Sequence, residues 1–256
     1  MINHISSPEF FIVFVAVFLG CFVKGILGFG LPVIATPIML FAMSLPKVIA
    51  VLFLPIVIAN IQQMWLSRKH WKIVKVFWPL IFISTLFMLM LSTQIIVLNG
   101  HILATAIGIF ILSHALLSIY PLTNFKTFDP SQQSLQKLIL PAGMLSGILG
   151  GLTSMYSFPS LQLFLSMRVA KNDLTFLLGV FLSLGYVTIW LGIGSAGFPV
   201  DESLTLSMLM LVPTILGQQI GDRIRRRISE ASFRRFVHFA LATAGITLIM
   251  KNISEL

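Results

Sequence analysis

Two stretches, residues 25–44 (GILGFGLPVIATPIMLFAMS) and 147–166 (GILGGLTSMYSFPSLQLFLS), constrain the fold of this chain more than any other part of it. Aligned at an offset of 122, Gly25, Ile26, Leu27, Gly28, Pro37 and Ser44 meet Gly147, Ile148, Leu149, Gly150, Pro159 and Ser166. Six identities in twenty exceed what a shared apolar composition supplies. Each stretch lies inside a long hydrophobic segment, where glycine and proline interrupt a helix and leave backbone polar groups without partners. Hydrocarbon cannot hydrogen-bond those groups, so such a break is tolerated only against protein or a watery cavity. Paired, interrupted apolar segments in corresponding halves of a chain point to a transporter's binding site.

The surroundings agree with a membrane setting. Of the 256 residues 57% are hydrophobic and only 10% charged, and the mean hydropathy is +0.99, against roughly 25% charged residues in an ordinary soluble domain. The reading is an all-α polytopic membrane protein with no polar stretch long enough for a soluble domain. The opening MINHISSPEF has no basic n-region and no small-x-small cleavage site after it, so it is expected to remain as the exposed end of the first membrane segment. A net charge of +9 is better explained by lysines and arginines gathered in cytoplasmic loops than by a nucleic-acid partner. The single cysteine, Cys21, excludes an intrachain disulfide and a cysteine metal cluster.

Hydropathy separates eight apolar blocks, at about 9–43, 46–66, 74–92, 100–120, 138–166, 173–197, 203–221 and 233–250. The first and fifth are longer than one crossing needs, and each holds a glycine cluster and proline. If all eight blocks cross once, seven basic residues fall on one face and nine on the other, which orients nothing. If the two glycine-rich blocks are re-entrant hairpins, Lys47 and Lys251 stand alone outside and fourteen basic residues share the cytoplasmic face, with Lys24 inside the membrane. The expected architecture is therefore two inverted repeats, 1–122 and 123–256, each a re-entrant broken helix pair plus three transmembrane helices, with both termini outside. A connector at 121–137 joins them. Trp65, Trp71 and Trp78 bracket a basic loop and read as interfacial anchors. The run GDRIRRRISEASFRR at 221–235 reads as a solvated loop near anionic lipid.

The candidate site residues follow from the breaks. Gly28 and Gly30 in one half, and Gly150 and Gly151 in the other, permit left-handed backbone and close approach. Helices restarting at 31–36 and 152–157 would offer free N–H groups and a positive dipole end to an anion. Thr153, Ser154 and Tyr156 add hydroxyls to the second restart. The competing reading is small-residue helix packing, since glycine also lets membrane helices touch. Lys24 is an ionisable group inside a membrane segment, a functional hypothesis by default, with snorkelling or pairing as the alternative. Asn60 is a buried amide able to bind substrate oxygens or to join helices. His101, His114 and His238 lack metal-ligand spacing. Carboxylates sit near segment ends or in loops, with no paired acids, metal cluster or activated nucleophile, so no enzyme activity, cofactor or metal is expected.

The segments FLGCFVKGILGFGLPVIATPIML, AGMLSGILGGLTSMYSFPSLQLFLS and VPTILGQQIGDRIRRRISEASFRRFVHFALATAGITLI together resemble the TauE/SafE sulfite-exporter family of membrane permeases. That resemblance implies a bacterial inner-membrane protein moving a small sulfur-containing anion such as sulfite, thiosulfate or an organosulfonate. Phe29 between Gly28 and Gly30, and the second motif GGLTSMYSFP, depart from the commoner family pattern. The expectation is a secondary permease working by alternating access, with the small anionic solute held between two opposed breaks. A passive anion channel and a membrane accessory or assembly protein remain as alternatives.

Overall fold

The computed structural model describes residues 7–119, 133–167 and 169–225, with residues 242, 245, 246, 249 and 250 of the last apolar block. The connector over 121–132, the basic run from 226 to 235, His238 and most of the final block lie outside the described residues, as does the side chain of His114. The described elements are all helical: α1 (Ser7–Leu27), α2 (Leu31–Met39), α3 (Leu45–Leu66), α4 (Val74–Ser92), α5 (Gln94–Val97), α6 (Gly100–Ile119), α7 (Gln133–Thr153), α8 (Ser157–Ser166), α9 (Lys171–Ser195), α10 (Leu204–Leu209) and α11 (Leu211–Arg225). Short 3-10 turns precede α4 and α10. Since α7 begins at Gln133, the last five residues of the expected connector are helical.

Among the described residues four helices are long and apolar enough to cross a membrane: Pro8–Leu27, Leu45–Leu66, Arg68–Val97 and Asn172–Ser195. A fifth span exists if Val200–Leu209 and Leu211–Ile224, bent by 47°, are taken together. The sequence predicts one continuous block at 203–221; the chain instead bends between α10 and α11, where Met210 leaves the helix pattern.

Both glycine-rich blocks are broken helices whose second arm folds back. In a straight helix Gly20 and Leu31 would stand roughly 16 Å apart along the axis. Here a Cβ on Gly20 would lie 2.8 Å from the Leu31 carbonyl oxygen and 3.3 Å from the Ala35 Cβ, so α2 runs back along α1. In the other block the Ser146 and Ser160 hydroxyls share a 2.7 Å hydrogen bond although fourteen residues separate them, so α8 runs back along α7. The arms are unequal. The first arms, α1 and α7, have 21 residues each, about 31 Å at 1.5 Å per residue; Pro8–Leu27 of α1 is apolar over a full crossing, whereas the apolar part of α7 is the shorter Lys137–Thr153. The second arms have 9 and 10 residues, roughly half that length.

The chain forms two compact units. The first takes Met1–Ala59, Leu98–Pro121 and Pro199–Leu256; the second takes Asn60–Val97 and Leu122–Phe198. Each therefore mixes segments from both sequence halves.

Within the first unit α1 packs on α11 through glycine. A Cβ on Gly25 would stand 2.6 Å from the Gln218 carbonyl oxygen, and one on Gly217 would stand 2.5 Å from the Phe18 carbonyl oxygen. The Leu54 amide of α3 donates to Ser207 Oγ at 3.1 Å, fastening α10. Gly108 of α6 and Gly245 face each other, a Cβ on either lying 3.1 Å or 3.0 Å from the other's carbonyl oxygen.

Within the second unit α7 packs on α4 in the same manner. A Cβ on Gly147 would lie 2.7 Å from the Ser84 carbonyl oxygen, and one on Gly151 would lie 3.2 Å from that of Met88. Its apolar centre is aromatic: Phe77 meets Phe164 at 4.9 Å between ring centroids, Phe164 meets Phe181 at 6.2 Å, and Phe181 meets Tyr156 at 5.4 Å. Edge-to-face pairs at such distances add about 0.5–1.5 kcal/mol each beyond area burial. At one end His70 Nδ1 lies 2.8 Å from Asp173 Oδ1, tying the turn Arg68–Ile73 to the start of α9. Trp65, Trp71 and Trp78 are exposed, with the Arg68 guanidinium 4.9 Å over Trp65 and the Lys75 ammonium 5.0 Å over Trp71. Exposed indoles beside cations suit the anchor role read from the sequence.

Candidate functional site

The first break spans Gly28, Phe29 and Gly30. The Gly28 amide closes α1 by donating to the Lys24 carbonyl at 2.6 Å, and the Ile34 amide opens α2 by donating to the Gly30 carbonyl at 3.1 Å. Gly28 has φ +84° and Gly30 φ +115°, conformations that an L side chain resists. No side chain caps α2, and Pro32 stands at its start. Of its first-turn donors, the amides of Leu31 and Val33 remain while proline brings none. Lys24 is one turn back, 3% exposed, and Asp222 of α11 is within electrostatic reach of it.

Gly28 is a backbone site rather than a packing site, because nothing lies within 4 Å of where its Cβ would be. Gly28→Asn is therefore expected to unfold near the wild-type temperature, since asparagine tolerates the left-handed region. Gly28→Val is expected to lose about 1–3 kcal/mol. Thermal unfolding in detergent measures this, and equal midpoints would contradict it.

The second break lies one helical turn later than the sequence alignment places it. It spans Ser154, Met155 and Tyr156, and α8 starts at Ser157 instead of within a restart beginning at residue 152. The local geometry matches the first break: the Ser154 amide donates to the Gly150 carbonyl at 2.8 Å, as Gly28 does to Lys24. Ser154 has φ +61° where the first break has glycine. Each restarted helix also has a proline in its first turn, Pro32 in one and Pro159 in the other.

That register shift redistributes the predicted site residues. Gly150 and Gly151 are helical and pack: a Cβ on Gly150 would lie 2.7 Å from Tyr156 Cβ, and one on Gly151 2.7 Å from Leu91 Cβ. Thr153 Oγ1 donates to the Leu149 carbonyl at 2.6 Å and accepts from the Met155 amide at 3.2 Å, so it closes the turn. The Tyr156 hydroxyl donates to the Leu182 carbonyl of α9 at 2.5 Å. Its ring lies against Gly185, where a Cβ would come within 2.6 Å of the ring. Ser154 Oγ, 1% exposed, has no hydrogen-bond partner. Asn60 is buried within α3, its carbonyl 3.3 Å from where a Cβ on Gly179 of α9 would be.

Lys24, Gly28 and Gly30 thus gather at the break of the first unit, and Asn60, Gly150, Gly151, Thr153, Ser154 and Tyr156 belong to the second. Sequence reasoning passed over Ser183 and Tyr186 of α9, both buried with hydroxyls lacking a partner. It also passed over Asp222 as a neighbour of Lys24. The one signal in the apolar run of α9 is the i, i+3 spacing of two hydroxyl residues. Among the described residues no three His, Cys, Asp or Glu side chains gather to hold a metal ion.

Two broken helices that fold back thus lie in a chain with other helices long enough to cross a bilayer. The profile described as sulfite exporter TauE/SafE matches residues 12–248. The chain belongs to the sulfite exporter TauE/SafE family. No curated protein and no solved structure matches it. As a TauE/SafE chain it joins a family of membrane permeases, and its long apolar helices fit a multi-pass membrane transport protein. The matched span includes both breaks, Lys24 and the hydroxyl-bearing turn of α9.

Proposed function

We propose that this TauE/SafE protein is a secondary permease of a bacterial inner membrane, moving a small sulfur-containing anion such as sulfite, thiosulfate or an organosulfonate by alternating access. The observation behind the reading is that each compact unit contains one broken helix hairpin with uncommitted amides at its restart. In the first unit Lys24 adds a positive charge one turn from Gly28. In the second Ser154 adds a bare hydroxyl. Such restarts are the membrane counterpart of anion sites at helix N-termini.

Internal symmetry supports the inverted-repeat part of the proposal, with halves 1–122 and 123–256. Gly25 meets the carbonyl of Gln218 and the Cα of Gly221, and Gly147 meets the carbonyl of Ser84 and the Cβ of Phe87. The two glycines are equivalent in the sequence repeat, and each contacts positions i and i+3 of a helix from the other half. Gly108 and Gly245, one from each half, also face each other. Exchange of this kind is what two related halves produce when each lends its broken hairpin to the other's helices.

Purified protein in proteoliposomes tests the function. Saturable uptake of at least one of sulfite, thiosulfate, sulfoacetate or taurine is expected. Flux that never saturates would mean a passive channel, and no flux of any of the four by folded protein would remove the transport proposal.

A further inference from the structure

Among the described residues of the second unit three buried hydroxyls have no hydrogen-bond partner: Ser154 Oγ at the break, and Ser183 Oγ and Tyr186 OH on α9. They are 1%, 8% and 0% exposed. A serine or threonine inside a helix ordinarily donates to a carbonyl one turn back, as Thr188 does to Leu184 at 2.8 Å in the same helix. Ser183 does not. Ser183 and Tyr186 are neighbours at i and i+3 on one face of α9. Tyr156 joins the two elements concerned: it follows Ser154 by two residues, its hydroxyl bonds Leu182, and its ring lies on Gly185. The ring thus pins the segment bearing Ser154 onto the turn of α9 bearing Ser183 and Tyr186.

A buried hydroxyl with nothing to bond is destabilising, so a partner is expected when the protein works. Lys24 is the one buried charged side chain among the described residues, and it belongs to the first unit. Among its described residues the second unit therefore offers hydroxyl protons, together with the first-turn amides of α8, and no buried full charge. Partial charges of this kind can balance one negative charge better than two, because the desolvation penalty of an ion grows with the square of its charge.

We propose that Ser154, Ser183 and Tyr186 form a hydroxyl-only specificity site for a singly charged oxyanion, each hydroxyl donating to an anion oxygen. The site rests on the transport reading above and adds to it the residues of α9 and the preferred charge state. Methanesulfonate and sulfate are suitable probes, being tetrahedral anions of one and two charges.

Thermal unfolding of the purified full-length chain is measured with each probe for wild type, Ser183→Ala, Tyr186→Phe and Ser154→Gly. Methanesulfonate is expected to raise the wild-type midpoint where equal sulfate does not. Each variant is expected to need about ten-fold more methanesulfonate for the same shift. Ligand-free midpoints should hold or rise, since each change deletes an unmet hydroxyl and Ser154→Gly also relieves a left-handed serine. Unchanged concentration dependence in the variants, a lowered ligand-free midpoint, or equal stabilisation by sulfate would overturn the site. If proteoliposome flux is found but methanesulfonate never shifts the wild type, the site alone falls. If flux and shift are both absent, both readings fall.

Discussion

Gly25→Leu and Gly147→Leu are each expected to leave little folded protein, while Gly100→Leu should be nearly silent. A Cβ at Gly25 would sit 2.6 Å from the Gln218 carbonyl oxygen and 3.0 Å from the Asp222 amide nitrogen, both parts of the α11 backbone. At Gly147 it would sit 2.6 Å from Phe87 Cβ and 2.7 Å from the Ser84 carbonyl oxygen on α4. A backbone cannot rotate away as a long side chain can, so accommodating leucine means separating two helices along their contact. Overpacking of a well-filled core costs about 1–3 kcal/mol and more where backbone must move, a large part of a stability of about 5–15 kcal/mol. Gly100 has nothing within 4 Å of its Cβ position, so the same added bulk meets open space. Yield of monodisperse protein and midpoint of thermal unfolding read the outcome. Wild-type behaviour of either buried variant would show that these glycines are not where the helices touch.

Lys24→Met is expected to lower transport by about ten-fold or more, since a hydrogen bond to a charged group contributes about 1.5–3 kcal/mol and about 1.4 kcal/mol is a factor of ten. Asp222 is within electrostatic reach of Lys24, and breaking a buried pair leaves a charge uncompensated and costs about 3–5 kcal/mol, so the same change is also expected to lower the unfolding midpoint. Flux per folded molecule therefore separates the two roles. A lower midpoint with normal flux per folded molecule would assign Lys24 to the fold alone.

Much of this was legible in the chain itself. The blocks at 46–66, 74–92 and 173–197 reappear as α3, α4 and α9 with edges shifted by a few residues, because an unbroken apolar run has no lower-energy form in a bilayer than a helix. The two interrupted blocks were also visible, since glycine and proline act through the local backbone. The register of the second break was not. Identity aligns Gly25 and Gly28 with Gly147 and Gly150, but glycine serves two purposes that look alike in sequence. Gly28 supplies a left-handed turn, whereas Gly150 supplies room beside Tyr156 and Met88. The left-handed position of the second break fell to Ser154, a residue type that seldom adopts it and so gives no signal.

By itself, then, the sequence determined the membrane class, the helices and the presence of two breaks, all of which depend on residues close together in the chain and on the solvent around them. Tertiary structure decided which glycines touch another helix, that the hydroxyls of Thr153 and Tyr156 are already engaged while those of Ser154, Ser183 and Tyr186 are not, and that each unit draws on both halves of the chain. Those outcomes depend on contacts between residues far apart in sequence, where a hydrogen bond made or missed is a matter of position in space that no local pattern records.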